Sequence, residues 1–186
     1  MKVLVIPEEP MPDQYILKPV MECLFVDLAL SARVDALWNP RLRSVSQALD
    51  SSMLRHIVGV YSMIDLFLLN VDRDADEHRA KRARTLEAEH PGRLFACLAV
   101  EEVEVWMLAL HRDRLPSPWA EIRRERDPKE RFAYPFLAAH APKLDAGHGR
   151  KWAMRDLGAR WKGLLDVCPE IAELKTRIAS EFGRRS

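Results

Sequence analysis

The chain has 186 residues, 48% hydrophobic and 31% charged, a composition that builds one ordinary domain with a real core and excludes a disordered chain. Its net charge of +1 gives no polycation to announce nucleic acid, and no apolar run approaches the roughly 20 residues needed to span a bilayer. Cys23, Cys97 and Cys168 are far apart, fit no metal spacing and read as reduced, buried thiols of a cytoplasmic protein, and "MKVLVI" opens a strand pattern rather than a secretory leader.

"KVLVI" (2–6) is a short Val- and Ile-rich run, the pattern of a strand buried on both faces. A turn with three prolines, "PEEPMPD", follows, and Asp13 is placed to cap the next helix. That helix runs from Gln14 to about Ser31 on the spacing of Leu17, Val20, Met21, Leu24, Phe25 and Leu28, with Pro19 required near its first turn or at a kink. The spacing then predicts a strand over 32–38, a helix over 40–57 broken near Ser51, a strand over 63–71, a basic helix over 77–90 and a strand over 93–100. This β-α-β-α-β-α-β order predicts an α/β fold: a four-stranded, mainly parallel sheet with flanking helices. Beyond Val100 the chain reads as helical, with a stripe at Val103, Trp106, Met107 and Leu110, a capping pattern at Asp127 and Glu130, a loop over 144–152 and two closing helices. We therefore expect a core over 1–112 and a helical C-terminal extension over 113–186, packed as one unit. Trp152 and Trp161 then read as packing residues of that extension, with a partner surface as the alternative.

The acids fall at the strand ends. Glu8 and Glu9 follow the first strand, Asp72, Asp74 and Asp76 the third, and Glu101, Glu102 and Glu104 the fourth. In a parallel sheet these are loop mouths on one edge, the edge at which such folds bind ligands. Two like charges about 4 Å apart repel by roughly 4 kcal/mol at an effective dielectric near 20, so gathered carboxylates must be protonated or neutralised by a cation. Oxygen-only donors suit Mg²⁺ or Mn²⁺. Charge is divided along the chain: residues 1–76 hold 7 basic and 11 acidic residues, and 77–186 hold 22 and 17. An acidic end beside a basic one suits a metal site next to an anion-binding surface.

"VIPEEPMPDQYIL" resembles the first signature of the Toprim domain, a strand, a glutamate, a short turn and an acid four residues on, here Glu9 and Asp13. "FLLNVDRDAD" resembles its second signature, a hydrophobic strand ending in Asp-x-Asp, here Asp72 and Asp74. "LAVEEVEVWMLA" resembles the acid-x-Trp element, here Glu104 and Trp106, of uncharacterised bacterial Toprim-like proteins. The similarity spans residues 2–110 and implies a Toprim/Rossmann-like sheet with divalent-metal-dependent phosphodiester cleavage, as in a small nuclease or a nuclease-like partner of an ATPase in phage defence. It implies catalytic roles for Glu9, Asp72 and Asp74, with Glu9 a ligand or general acid/base, and a metal-binding set of Glu9, Asp72, Asp74, Asp76, Glu101 and Glu104. Arg79, Lys81, Arg82 and Arg84 would hold the phosphate backbone of a nucleic acid without reading its sequence. One departure is plain: Toprim domains have glycine after the glutamate, and here Pro10 follows Glu9, so either Glu8 or Glu9 faces the site.

Two other readings compete. A receiver domain shares the first strand with its acidic pair, but Asn70 stands where its phosphoacceptor aspartate belongs, and no fifth strand ends in lysine. A catalytically degenerate interaction module is favoured by the proline at the glutamate loop. The histidines fall at no metal-ligand spacing; His78 alone lies beside the acids.

Overall fold

A computed structural model describes residues 1–73 and 76–183. The fold is α/β, and the sheet is wholly parallel, in the order β2-β1-β3-β4. Its strands are β1 (Lys2–Pro7), β2 (Arg33–Ala36), β3 (Leu66–Asp72) and β4 (Leu94–Ala99). Between them lie α1 (Pro10–Asp27), α2 (Val45–Ala48), α3 (Ser51–Val60) and α4 (Glu77–Glu89). After β4 come α5 (Glu104–Ala109), α6 (Trp119–Ile122), a π-helical turn Lys129–Ala133, α7 (Tyr134–His140), α8 (Arg150–Ala153), α9 (Leu157–Val167) and α10 (Pro169–Phe182). Among the described residues no helix is long and apolar enough to cross a membrane.

The handedness of parallel connections fixes which helix covers which face. The step from β1 to β2 runs one way along the sheet, and the steps from β2 to β3 and from β3 to β4 run the other way. Right-handed crossovers then place α1 on one face and α3 and α4 on the opposite face. The side chains agree, because successive strand residues point to opposite faces. Val3, Val5, Leu66 and Leu68 join Leu17, Val20 and Met21 of α1 in one cluster. Leu4, Ile6, Phe67 and Leu69 join Leu54 and Ile57 of α3 and Leu86 of α4 in the other. Burial on both faces is why the strands read as continuous apolar runs.

The C-terminal helices belong to the first of these clusters. Leu157, Leu164, Ile171, Leu174 and Ile178 pack into the layer that holds α1. Arg177 of α10 fastens it further, donating to both Glu87 carboxylate oxygens at 2.7 and 2.8 Å and to the Ala96 carbonyl of β4. Trp106 is fully buried, and its indole N–H donates to Glu170 at 2.8 Å. Trp152 stacks on His111 at 5.7 Å, and the Trp161 indole N–H donates to Asp27 at 2.9 Å. Both are partly buried against the same cluster, as packing residues should be.

Several boundaries differ from expectation. Helix α1 starts at Pro10, four residues early, because prolines at its first and third positions lack the N–H groups that a helix start leaves unpaired. Glu9, not Asp13, is its N-cap residue, and Pro19 lies well inside the helix. The helix expected over 40–57 divides at Leu49–Asp50, where the Asp50 carboxylate caps α3 through Met53 N–H at 2.7 Å. The helix expected from 101 begins at Glu104, since Glu101 has φ 65 and cannot be helical. The Asp127–Glu130 capping box does not form; the Asp127 backbone carbonyl accepts from Arg131 N–H instead. The loop over 144–152 yields to helix at Arg150.

Strands β1 and β3 are neighbours, yet the chain leaves them in opposite directions. That is a topological switch point, and it opens a crevice at their C-terminal ends, where α/β sheets bind ligands. If the tail shares the core, Leu174→Ala should destabilise the whole chain by about 2–5 kcal/mol in urea, with fluorescence and circular dichroism following one transition. Two separated transitions would contradict a shared core.

Candidate functional site

The crevice at the switch point is filled with carboxyl groups. Glu8 and Glu9 close β1, and the Asp72 N–H donates to Glu8 Oε2 at 3.4 Å. Glu8 therefore faces Asp72, while Glu9 faces Lys129, whose Nζ lies 3.5 Å from Glu9 Oε2. The two glutamates flank one crevice, so the question of which faces the site resolves to both. Asp13, one turn into α1, is buried and accepts the Glu9 N–H at 3.0 Å, closing the helix start from within. Asp72 caps the loop after β4 by accepting the Val103 N–H at 3.0 Å. That loop turns sharply at Glu101, whose left-handed backbone costs on the order of 1 kcal/mol. The Glu101 carboxylate is held by Arg73, and the turn brings Glu102 and Glu104 back over the sheet edge.

Two cations from the tail reach the cluster. Arg150 is 1% exposed, pairs with the fully buried Glu104, and lies over the Tyr134 ring at 5.7 Å. A glycine-bracketed turn delivers it: Gly147, His148 and Gly149 have φ of 65, 55 and 93. A Cβ at Gly147 would stand 2.4 Å from Tyr15 Cδ2, and one at Gly149 would stand 2.5 Å from Ala141 Cβ. Both positions need glycine for space as well as for backbone conformation. Lys129 opens the π-helical turn; its Nζ is 3.9 Å from Glu104 Oε1, and its backbone N–H donates to Glu102 at 2.7 Å.

The carboxyls outnumber these cations, and burial withholds water from most of them. Burial, with Glu104 adding repulsion, pushes Asp13 up to about 8, against relief from the Glu9 N–H and Lys129. Burial pushes Asp72 well above the carboxylate range, helped by Asp13, Glu104 and Glu8. Glu102 rises to about 7, by burial first and by Glu104 next. Burial alone would lower the Lys129 ammonium, but Glu104, Glu9, Tyr134 and Asp13 together raise it. Polar atoms also stand unpaired here. Glu104 Oε2 and both amide atoms of Asn70 are buried without a hydrogen-bond partner among the described residues, and polar atoms at such depth nearly always have one. Asn70 lies two residues before Asp72 on the same face of β3.

The expected site residues divide accordingly. Glu9, Asp72 and Glu104 come together, with Asp13, Glu8 and Glu102. Asp74 lies outside the described residues. Asp76 caps α4 through His78 N–H at 2.9 Å, and Glu101 is turned to Arg73. Of the expected phosphate-binding residues, Arg79 donates to the Asp72 carbonyl at 2.8 Å and Arg82 to the Leu49 carbonyl at 2.9 Å, while Lys81 and Arg84 are exposed. Among the described residues no three His, Cys, Asp or Glu side chains lie as a ready metal-binding group. Lys129 and Arg150 escaped the sequence reading, although the glycines around Arg150 mark a turn built to place it.

No family model matches the chain, and no curated protein or solved structure matches it either.

An acid whose pKa is raised on folding contributes stability below its unfolded value that is lost as pH rises through its folded value. For Asp13 that window runs from about 4 to about 8. Without divalent ions, stability should fall across it by up to about 1.4 kcal/mol per pH unit for this proton. Asp13→Asn should flatten the fall in urea melts taken at successive pH values; an unchanged slope would mean that Asp13 titrates normally.

Proposed function

We propose that the chain is a divalent-metal-dependent phosphodiester hydrolase whose site is the carboxyl cluster at the ends of β1 and β3. The observation behind this reading is the excess of buried acid at the switch point: Glu8, Glu9, Asp13, Asp72, Glu102 and Glu104 face only Lys129 and Arg150. Protons on Asp13 and Asp72 balance the remainder, and they stand where a cation would. The donor set is all oxygen, which suits Mg²⁺ or Mn²⁺, and the unpaired Glu104 Oε2 fits the same need. The resemblance of residues 2–110 to the Toprim signatures points to the same chemistry.

In this reading Asp72, Asp13 and Glu104 hold the metal, with Asp74 as the second acid of the Asp-x-Asp element. When bound, the metal neutralises charge on the attacking and leaving oxygens of an in-line displacement. The chain's own residues do the rest. Glu9, beside Lys129 at the mouth of the crevice, accepts the proton of the attacking water. Arg150 locks Glu104 in one orientation from beneath, and the Asp72–Val103 bond keeps the β4–α5 loop clear of the entrance.

The test is direct. Mn²⁺ should raise the melting temperature of the chain and support cleavage of a nucleic-acid strand. Asp72→Asn should remove both effects while leaving the metal-free melting temperature unchanged or higher, because the substitution removes a repelled carboxyl. If Mn²⁺ shifts nothing in the unaltered chain, the cluster is a proton-neutralised structural network, and the interaction-module reading stands instead.

A further inference from the structure

The helix expected to hold phosphate spends two of its arginines on backbone carbonyls. An alternative cationic wall stands on the other side of the crevice. Arg41 and Arg43 follow β2, on the same sheet edge as the carboxyl cluster, and line a cleft of about 520 Å³ with Glu8, Glu9, Met11 and Pro12. That is an ordinary size for a small-ligand site. Both arginines are exposed, and neither guanidinium has an ion-pair or hydrogen-bond partner among the described residues. Their loop is nonetheless built. Leu42 between them is 2% exposed and anchored in the second core cluster, and the Arg43 N–H donates to Gln47 Oε1 at 2.9 Å. Ser44 then caps α2. A buried residue between two exposed ones aims both arginines outward from a fixed backbone.

The charges across the cleft are opposite, yet they do not pair. Glu9 lies with Lys129 and Glu8 with Asp72 N–H, while Arg41 and Arg43 stay unpaired. A gap with free guanidinium groups on one wall and a carboxyl cluster behind the other has the charge pattern for a phosphate. Its oxyanions meet arginine forks on one side and the cation site on the other. The cleft also continues. Met11 and Pro12 line a second hollow of about 560 Å³, whose walls include the rings of Tyr15 and Tyr134. Aromatic walls beside a cationic groove are how unpaired nucleic-acid strands are held, bases on rings and phosphates on arginine.

We infer that Arg41 and Arg43 are the phosphate-holding residues of the site, and that its ligand is an unpaired nucleic-acid strand laid from these arginines over the first turn of α1 toward Tyr15 and Tyr134. This rests on the hydrolase reading above for its purpose, but strand binding can be measured apart from metal binding. The probe is a short fluorescein-labelled oligothymidylate, followed by anisotropy in EDTA and in Mn²⁺ over a range of salt. Arg41→Ala/Arg43→Ala should weaken binding about tenfold or more and reduce the slope of log affinity against log salt by about 2. Lys81→Ala/Arg84→Ala, which removes the exposed charges of α4, should change affinity less than about twofold. The arginine variant should keep the Mn²⁺-induced rise in melting temperature. Unaltered strand binding by that variant, an equal loss in the α4 variant, or no binding by the unaltered chain in either buffer would overturn the assignment. Displacement of the strand by an equal concentration of thymidine monophosphate would put a free nucleotide in the cleft and overturn the strand reading. Absence of the Mn²⁺ shift in the unaltered chain, with strand binding still dependent on Arg41 and Arg43, would count against the metal reading alone.

Discussion

Too much negative charge in too little water is the constraint around which this molecule is arranged. Glu104 is fully buried, Asp13 nearly so, and Asp72 lies between them at the end of the central strand. An isolated carboxylate cannot remain ionised at that depth, so it shifts its pKa, finds a cation or accepts backbone N–H groups. All three remedies occur here. Asp13 and Asp72 are pushed toward the protonated form, Glu104 takes Arg150, and Asp13, Asp72 and Glu102 each accept a backbone N–H.

The same constraint explains why the helical tail is part of the domain. Both cations that reach the cluster come from beyond residue 112, Lys129 from the π-helical turn and Arg150 from the glycine-bracketed turn before α8. A core ending at α5 would leave Glu104 buried without its partner, at a cost of several kcal/mol for the uncompensated charge. Packing and electrostatics therefore bind the tail together. Leu174 and Ile178 fill the layer beside α1, while Arg150 closes the crevice from beneath.

The fold was largely legible because its signals are local and periodic. Four apolar runs alternate with helical spacing, and handedness then settles which face each helix covers. The boundaries that shifted did so where backbone chemistry overrode periodicity, at Pro10 and Pro12 for α1 and at the left-handed Glu101 for α5. The site was legible in part. Glu9, Asp72 and Glu104 stand at strand ends and could be placed on one edge by topology alone. Glu101 and Asp76 share that edge but are turned to Arg73 and to the start of α4, and spacing carries no information about such partners. Asp13 looked like a helix cap and is one of the buried acids, because the prolines moved the helix start four residues back. Lys129 and Arg150 lie in sequence far from everything they touch.

Proton release is the quantity most directly tied to the central claim. If buried protons on Asp13 and Asp72 hold the place of a metal ion, Mg²⁺ or Mn²⁺ must expel them on binding, since ligands coordinate in their deprotonated form. Titration calorimetry at pH 7 in buffers of different ionisation enthalpy counts those protons. The account predicts release of about one or more protons per metal bound, and the number falls as the pH is raised through the Asp13 value of about 8. Metal binding without proton release, or with a release that does not change with pH, would contradict it.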